Sequence, residues 1–154
     1  MELSENTLTV LKNFASINAN IVMKEGNVLK TVSEAKNLLA SSPILEDIPQ
    51  TIGVYDLNEF LGVLGLVDTP RVDWKDNHAI ISDSSGRSKI KYFYSDTEML
   101  TSPSKDIAMP SVDVSFVLDN DVLNKVKRAA SALRLNELAI SGNNGVITLS
   151  VVDA

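Results

Sequence analysis

Apolar residues recur at three- and four-residue intervals near the start of the chain: Leu8, Leu11, Phe14 and Ala15 form one stripe, and Glu5, Thr9, Lys12, Asn13 and Ser16 fall opposite it. This period predicts an amphipathic helix running to about Ile17, with Ser4 placed to accept from an otherwise unpaired amide of the first turn. Its outer face is polar but almost uncharged. The pattern then shortens, so that Asn20 to Lys24 and Val28 to Val32 read as two strands of a hairpin. Glu25, Gly26 and Asn27 would form the turn, with glycine supplying a positive φ.

From Ala35 to Pro49 the pattern is ambiguous. Leu38, Leu39, Ile44 and Leu45 fit a strand or an irregular edge, punctuated by Pro43 and Pro49. Ile52 to Tyr55 reads as a short strand, and Asp56 with Glu59 stands at capping-box spacing ahead of a second helix carrying Leu57, Phe60, Leu61 and Leu64. Arg71 to Trp74, His78 to Asp83 and Lys89 to Tyr94 predict a three-stranded meander. Asp96 to Pro110 has linker composition. Val112 to Leu118 alternates as a strand, Asp119 or Asp121 caps a third helix, and Leu138 to Ser141 and Val146 to Val152 flank an Asn143-Asn144-Gly145 turn.

Helix, strand, glycine turn and strand thus occur twice, from Ser4 to Val32 and from Asp119 to Val152, at an offset of roughly 118 residues. The repeat predicts an α+β protein of two similar domains with helices packed on one face of antiparallel sheets. The expected divisions are a first domain over 1–100, a linker over 101–110 and a partial second domain over 111–154. Because about 87 residues follow the first phrase and almost none the second, the second copy is expected to be truncated by roughly 70 residues.

Composition narrows the chemistry. The 154 residues are 44% hydrophobic and 22% charged, enough for a packed core, and contain no cysteine, which excludes disulfides and thiolate chemistry. No signal-like segment or long apolar run is present, so a cytoplasmic protein with no membrane partner is expected. A net charge of −6 argues against a surface that coats nucleic acid all over, yet the third helix is locally basic, with Lys125, Lys127, Arg128 and Arg134 against Asp119 and Asp121. On a helical wheel Val122, Val126, Ala130 and Leu133 define its buried side, with Arg128 nearly opposite and Lys125 and Lys127 flanking it.

Other candidates have plainer explanations. The sole histidine, His78, sits at a turn, where a surface or packing role outweighs catalysis. Asp119 and Asp121 lack the glycine and terminal glutamate of a calcium loop, so capping is preferred. Glu46 and Asp47 read as a charged loop, and Gly62 and Gly65 as allowing close helix packing rather than as a phosphate loop. Tyr92, Phe93 and Tyr94 could stack on bases, but strand alternation favours core plus rim. No catalytic residue, metal site or cofactor is predicted.

Two segments are more specific. The run VLKNFASIN from Val10 to Asn18 and the run YDLNEFLGVLGLV from Tyr55 to Val67 resemble the sliding clamps of T-even-type bacteriophages, the processivity factors of the phage DNA polymerase. The resemblance covers the first domain, the linker and about half of the second. It implies a DNA-clamp fold in a homotrimeric ring, with helices lining the hole and sheets on the rim. Such a ring encircles duplex DNA without reading sequence, is opened by an ATP-driven clamp loader, and tethers the replicative DNA polymerase in the cytoplasm of a phage-infected host.

A closed ring holds DNA topologically, so a few phosphate contacts suffice and strong binding would act as a brake. The lining role falls on Lys125, Lys127 and Arg128, with Lys12 and Arg134 behind them, although a basic helix face is also what any solvated helix presents. The family's polymerase pocket near the linker implies Leu100, Ile107, Met109 and Val112 as border residues, with packing anchors as the plainer alternative. A shortened subunit would lack part of its ring interface and is expected not to close a stable ring. A clamp-fold interaction scaffold that never encircles DNA is the main rival, and a small enzyme the lesser one.

Overall fold

The computed structural model describes residues 1–103, 111–112 and 114–153. The chain divides into two compact units, Met1–Ile107 and Ala108–Ala154. The first contains α1 (Glu5–Ala15), β1 (Ile21–Met23), β2 (Gly26–Val32), β3 (Leu39–Ile48), β4 (Ile52–Val54), α2 (Leu57–Leu64), β5 (Arg71–Trp74), β6 (His78–Ser82) and β7 (Lys89–Phe93), followed by a 3-10 turn at Thr97–Met99. Helix caps fall where side-chain acceptors stand. Ser4 Oγ accepts the Thr7 amide, and Asp56 Oδ1 accepts the amides of Asn58 and Glu59.

The expected hairpin at Glu25 to Asn27 does not form. β1 pairs antiparallel with β4, and β2 with β3, so the chain through Gly26 is a bend at which one strand run changes partner. Gly26 has φ 107°, as glycine permits, but the glycine marks a bend and not a reversal. The true reversal lies at Ser33–Leu38, a stretch with no glycine or proline to announce it. There the Ser33 amide donates to the Leu38 carbonyl at 2.9 Å, the Leu38 amide returns to Ser33 Oγ at 3.1 Å, and Lys36 takes φ 56°. The ambiguous stretch after it is β3. Its Pro43 lies opposite Val28, where the register shifts, a position that tolerates a missing amide hydrogen.

β5, β6 and β7 form the expected meander. Met1–Leu3 adds a short extension that sequence pattern did not reveal: the N-terminal amine donates to the Val72 carbonyl at 2.9 Å and the Val72 amide donates to Met1 at 2.7 Å. At the other end Ser95 bridges Gly53 of β4. A Cβ on Gly53 would collide with the Ser95 carbonyl and come within 2.9 Å of Leu100 Cδ1, so glycine is needed there for close approach of two backbones.

The core lies between helices and strands. Leu11 and Phe14 of α1 and Leu57, Phe60 and Leu64 of α2 pack with Ile21, Ile52, Val54, Val72 and Ile81 in one buried cluster. Full burial of each such side chain contributes about 1.5–3 kcal/mol. Phe60 meets the Tyr92 ring edge-on at 5.0 Å. Gly62, expected to allow close packing, does not, since a Cβ there would meet nothing within 4 Å.

A polar clamp fixes α1 against β3. Glu46 is not in a loop but in β3, where its carboxylate accepts from the Ser4 amide and the Thr7 hydroxyl; Ser4 Oγ also donates to Thr7 Oγ1 at 3.1 Å. Thr7 is 1% exposed, so its hydroxyl needs that partner. Burial pushes the Glu46 pKa up, but the hydrogen bonds from Thr7 and Ser4 outweigh it and hold the group below the ordinary carboxylate value. At the opposite end of α1, buried Asn18 donates to the Val32 carbonyl at 2.8 Å and accepts the Asn20 amide at 3.0 Å.

The second unit contains α3 (Asn120–Leu133), β8 (Glu137–Asn143) and β9 (Val146–Val152). β8 and β9 do form the expected hairpin, with Asn144 at φ 49° and Gly145 at φ 77°. The strand expected over Val112–Leu118 is absent among the described residues; Val117 is 96% exposed. Alternation alone makes no strand where no ladder partner is present. Helix α3 packs on β9 through the half-buried Leu123, Val126 and Ala130, whereas Val122 and Leu133, expected inward, are exposed.

Two predictions follow from α1 and α2. Glu46→Gln should lower the stability of the first unit by about 1 kcal/mol at pH 7. Because the folded pKa is depressed, the charged group's stabilisation is present above its unfolded pKa of about 4.3 and is lost as pH falls through the folded value. Urea midpoints of the two proteins should therefore converge as pH falls through that folded value. Gly62→Ala, in an exposed helix interior with open space, should instead stabilise by about 0.5–1 kcal/mol in the same measurement.

Candidate nucleic-acid interface

Helix α3 starts at Asp119, whose Oδ1 accepts the Asp121 amide at 2.7 Å. Both carboxylates thus sit at the positive end of the helix, where capping and the helix dipole favour them. Among the described residues no three His, Cys, Asp or Glu side chains are grouped to hold a metal ion. The acidic start leaves the rest of α3 basic.

Lys125, Lys127 and Arg128 are all exposed. Measured from the centre of the half-buried stripe, Arg128 lies about 165° around the helix, Lys125 about 135° and Lys127 about 65°. Arg128 and Lys125 therefore face away from the strands, and Lys127 stands on the shoulder. Arg134 ends the helix in the left-handed conformation, φ 57° and ψ 35°, with the Leu135 amide donating to Ala130 at 3.0 Å. Glycine is the usual residue at such a terminus.

Lys12 is the one cation of α1 and is exposed. Around it the polar side chains fold back onto their own helix: Thr9 Oγ1 donates to the Glu5 carbonyl at 2.8 Å and Asn13 Nδ2 to the Thr9 carbonyl at 2.9 Å. Those donors are occupied, which leaves Lys12 as the outward positive charge, with Glu5 at the other end of the helix. Lys12 belongs to the first unit and the other four cations to the second.

Of the residues suggested for a polymerase pocket, Leu100 is buried and packs near Gly53, which makes it a packing anchor. Val112 is exposed, and Ile107 and Met109 lie outside the described residues. Among the exposed apolar side chains next to buried anchors, the sequence reading did not single out Met99, at 85% beside Leu100, or Tyr55, at 70% beside Val54. Neither belongs to a periodic pattern that could have singled it out.

Groups suited to proton transfer are few. His78 Nδ1 lies 2.7 Å from Asn77 Oδ1 and its ring 5.8 Å from that of Phe93, which is a surface packing role. Burial, then the charges of Glu59 and Asp56, push the Tyr92 phenol up to about 12, so it remains protonated near neutrality. What these surfaces offer is fixed positive charge.

Residues 4–101 match the family model described as DNA polymerase processivity factor. The chain is similar to the sliding clamp of Vibrio phage KVP40, with 31% identity over all of the chain and 72% of that protein. It is also similar to the sliding clamps of Escherichia phage RB69, at 30% identity, and Enterobacteria phage T4, at 29%. Each of the latter two alignments covers 97% of the chain and 66% of the relative.

Arg134→Gly should raise the urea midpoint of the second unit, monitored by circular dichroism, by an amount equivalent to about 0.5–1.5 kcal/mol, because glycine adopts the left-handed terminus without steric cost. A lower midpoint would show that the arginine side chain makes compensating contacts.

Proposed function

The chain belongs to the DNA polymerase processivity factor family, and on that premise we propose that it is a sliding-clamp subunit of phage DNA replication, which holds duplex DNA and tethers the replicative polymerase. The match over residues 4–101 carries the reading, since it spans the first unit from the cap of α1 to Thr101. No helix of the described residues is long and apolar enough to cross a membrane. The reading places the protein in the cytoplasm of the infected host.

Three subunits, of the length that the relatives have, would close around the duplex with the aid of a clamp loader. Lys125 and Arg128 would meet phosphates first, with Lys127, Lys12 and Arg134 adding to the lining. What supports this is their exposure on helix faces of an acidic chain. Such cations favour DNA inside the ring and disfavour it elsewhere. The contacts need only be weak, because topology prevents escape while each phosphate contact is exchanged for the next. Polymerase contact near Leu100 and the linker would use the exposed Met99 and Tyr55 more readily than Leu100 itself, which is already packed. No step of this function requires a nucleophile, metal or cofactor.

The same proposal includes a tandem duplication, with residues 111–154 as part of a second clamp domain and residues 1–100 as the first. In its support, α3 repeats the capped helix followed by strands, and Leu138 and Ile140 of β8 are apolar residues left exposed beside β9. In the first unit a pair of helices buries the corresponding kind of surface. The copies differ in pairing, since β8 and β9 form a hairpin and β1 and β2 do not.

Two measurements test the function. Replacing Lys125, Lys127 and Arg128 together with glutamine should weaken binding to a labelled duplex and reduce the slope of log K against log salt by up to about 2.7. In primer extension on circular DNA, a subunit of the relatives' full length with its loader should lengthen the products of the cognate polymerase. Unchanged product length would overturn the clamp reading and leave the interaction scaffold.

A further inference from the structure

A second concentration of positive charge lies on a strand. In the sheet order β5-β6-β7, β7 is an edge strand. Strand alternation turns Tyr92 inward, where it is buried, and leaves Lys89, Lys91 and Phe93 exposed on the outward face. Arg87, in the turn before the strand, precedes them at the same two-residue interval and is also exposed. Two lysines and an aromatic ring therefore follow one another at about 6.7 Å intervals, the advance of two strand residues, with Arg87 in the turn just before them.

The ring is not hidden by the cations beside it. Phe93 is 60% exposed, with the Lys91 ammonium 4.8 Å from its centroid and the His78 ring 5.8 Å away on the neighbouring strand. Lys91 and Phe93 thus offer a cation and a π surface at one point. Carboxylates nearby already have partners. Asp83 accepts from the Ser85 hydroxyl at 2.9 Å and the Arg87 amide at 3.2 Å, and Asp73 pairs with Lys75 at 2.8 Å. Among the described residues, no ion pair joins Arg87, Lys89 or Lys91 to a carboxylate within 4 Å, in a chain whose net charge is −6.

We propose that the outward stripe Arg87–Lys89–Lys91–Phe93 is a binding site for single-stranded DNA, the cations meeting successive phosphates and Phe93 stacking on one base. Charge complementarity selects a polyanion, and the exposed ring selects one with flat apolar faces, which an acidic peptide lacks. A flat sheet face with one aromatic admits an unpaired strand, whose bases are free to stack, and excludes a duplex, whose bases are not. With three phosphate contacts the affinity is weak and falls with log salt at a slope of about −2. The site uses none of the helical cations and does not rest on the ring reading.

Fluorescence anisotropy of labelled oligo(dT) with the full chain tests the site. Phe93→Ala should weaken binding at least fivefold with the salt slope unchanged. The double variant Lys89→Gln with Lys91→Gln should lower the slope by about 1.4. The control Lys24→Gln with Lys36→Gln makes the same change in net charge on exposed lysines elsewhere and should stay within twofold of the parent. An equal loss in that control would reduce the effect to net charge and overturn the site. So would full binding by Phe93→Ala, or equal affinity for a poly-glutamate peptide. Failure of polymerase stimulation in primer extension would leave this result untouched.

Discussion

Everything in the first unit depends on covering the apolar side of its strands with a pair of short helices. α1 has 11 residues and α2 has 8, lengths at which an isolated helix is marginal in water, so each is held by what it buries. Leu11 and Phe14 from one helix and Phe60 and Leu64 from the other fill the same cluster as Ile21, Val54 and Ile81. Once those faces are committed inward, the outward faces follow by geometry. Lys12 is exposed because Leu11 is not. The clamp from Glu46 to Ser4 and Thr7 adds direction, tying the start of α1 to a particular strand where apolar contacts alone would tolerate sliding.

In the second unit the same requirement is met only in part. α3 covers β9, and Leu138 and Ile140 of β8 remain exposed, so no residue of that helix is buried. Its charged face is nevertheless defined, since a helix with one half-buried stripe has an opposite side, and Arg128 and Lys125 stand there. At its end Arg134 occupies a left-handed conformation that glycine adopts freely, as Lys36 and Asn144 do in their turns.

Half of the chain's fourteen lysines and arginines stand on or next to α3 and β7. An acidic whole with basic stretches on α3 and on β7 attracts a polyanion locally and repels it elsewhere, an arrangement suited to weak, mobile contact rather than tight adhesion. Helical and sheet stripes present different shapes to a ligand. The first offers charge alone, and the second offers charge with a ring.

Sequence by itself determined what repeats locally: the caps at Ser4 and Asp56, a cap for α3 at Asp119 or Asp121, the amphipathic periods of the helices, the meander from Arg71 to Phe93, and the family through two helical runs. These depend on neighbours a few residues apart, so their signals lie in spacing. Tertiary structure decided what depends on distant partners. Gly26 carried a convincing turn signal, yet the pairing of β1 with β4 made it a bend, while Ser33 and Lys36 built the reversal with no signal at all. Val112 to Leu118 alternated like a strand and found no ladder among the described residues, and Glu46 looked like loop charge until β3 brought it to α1. The inward side of α3 shifted to Leu123 because a helix's buried stripe is chosen by the surface it meets, and a wheel drawn from one segment does not contain that surface.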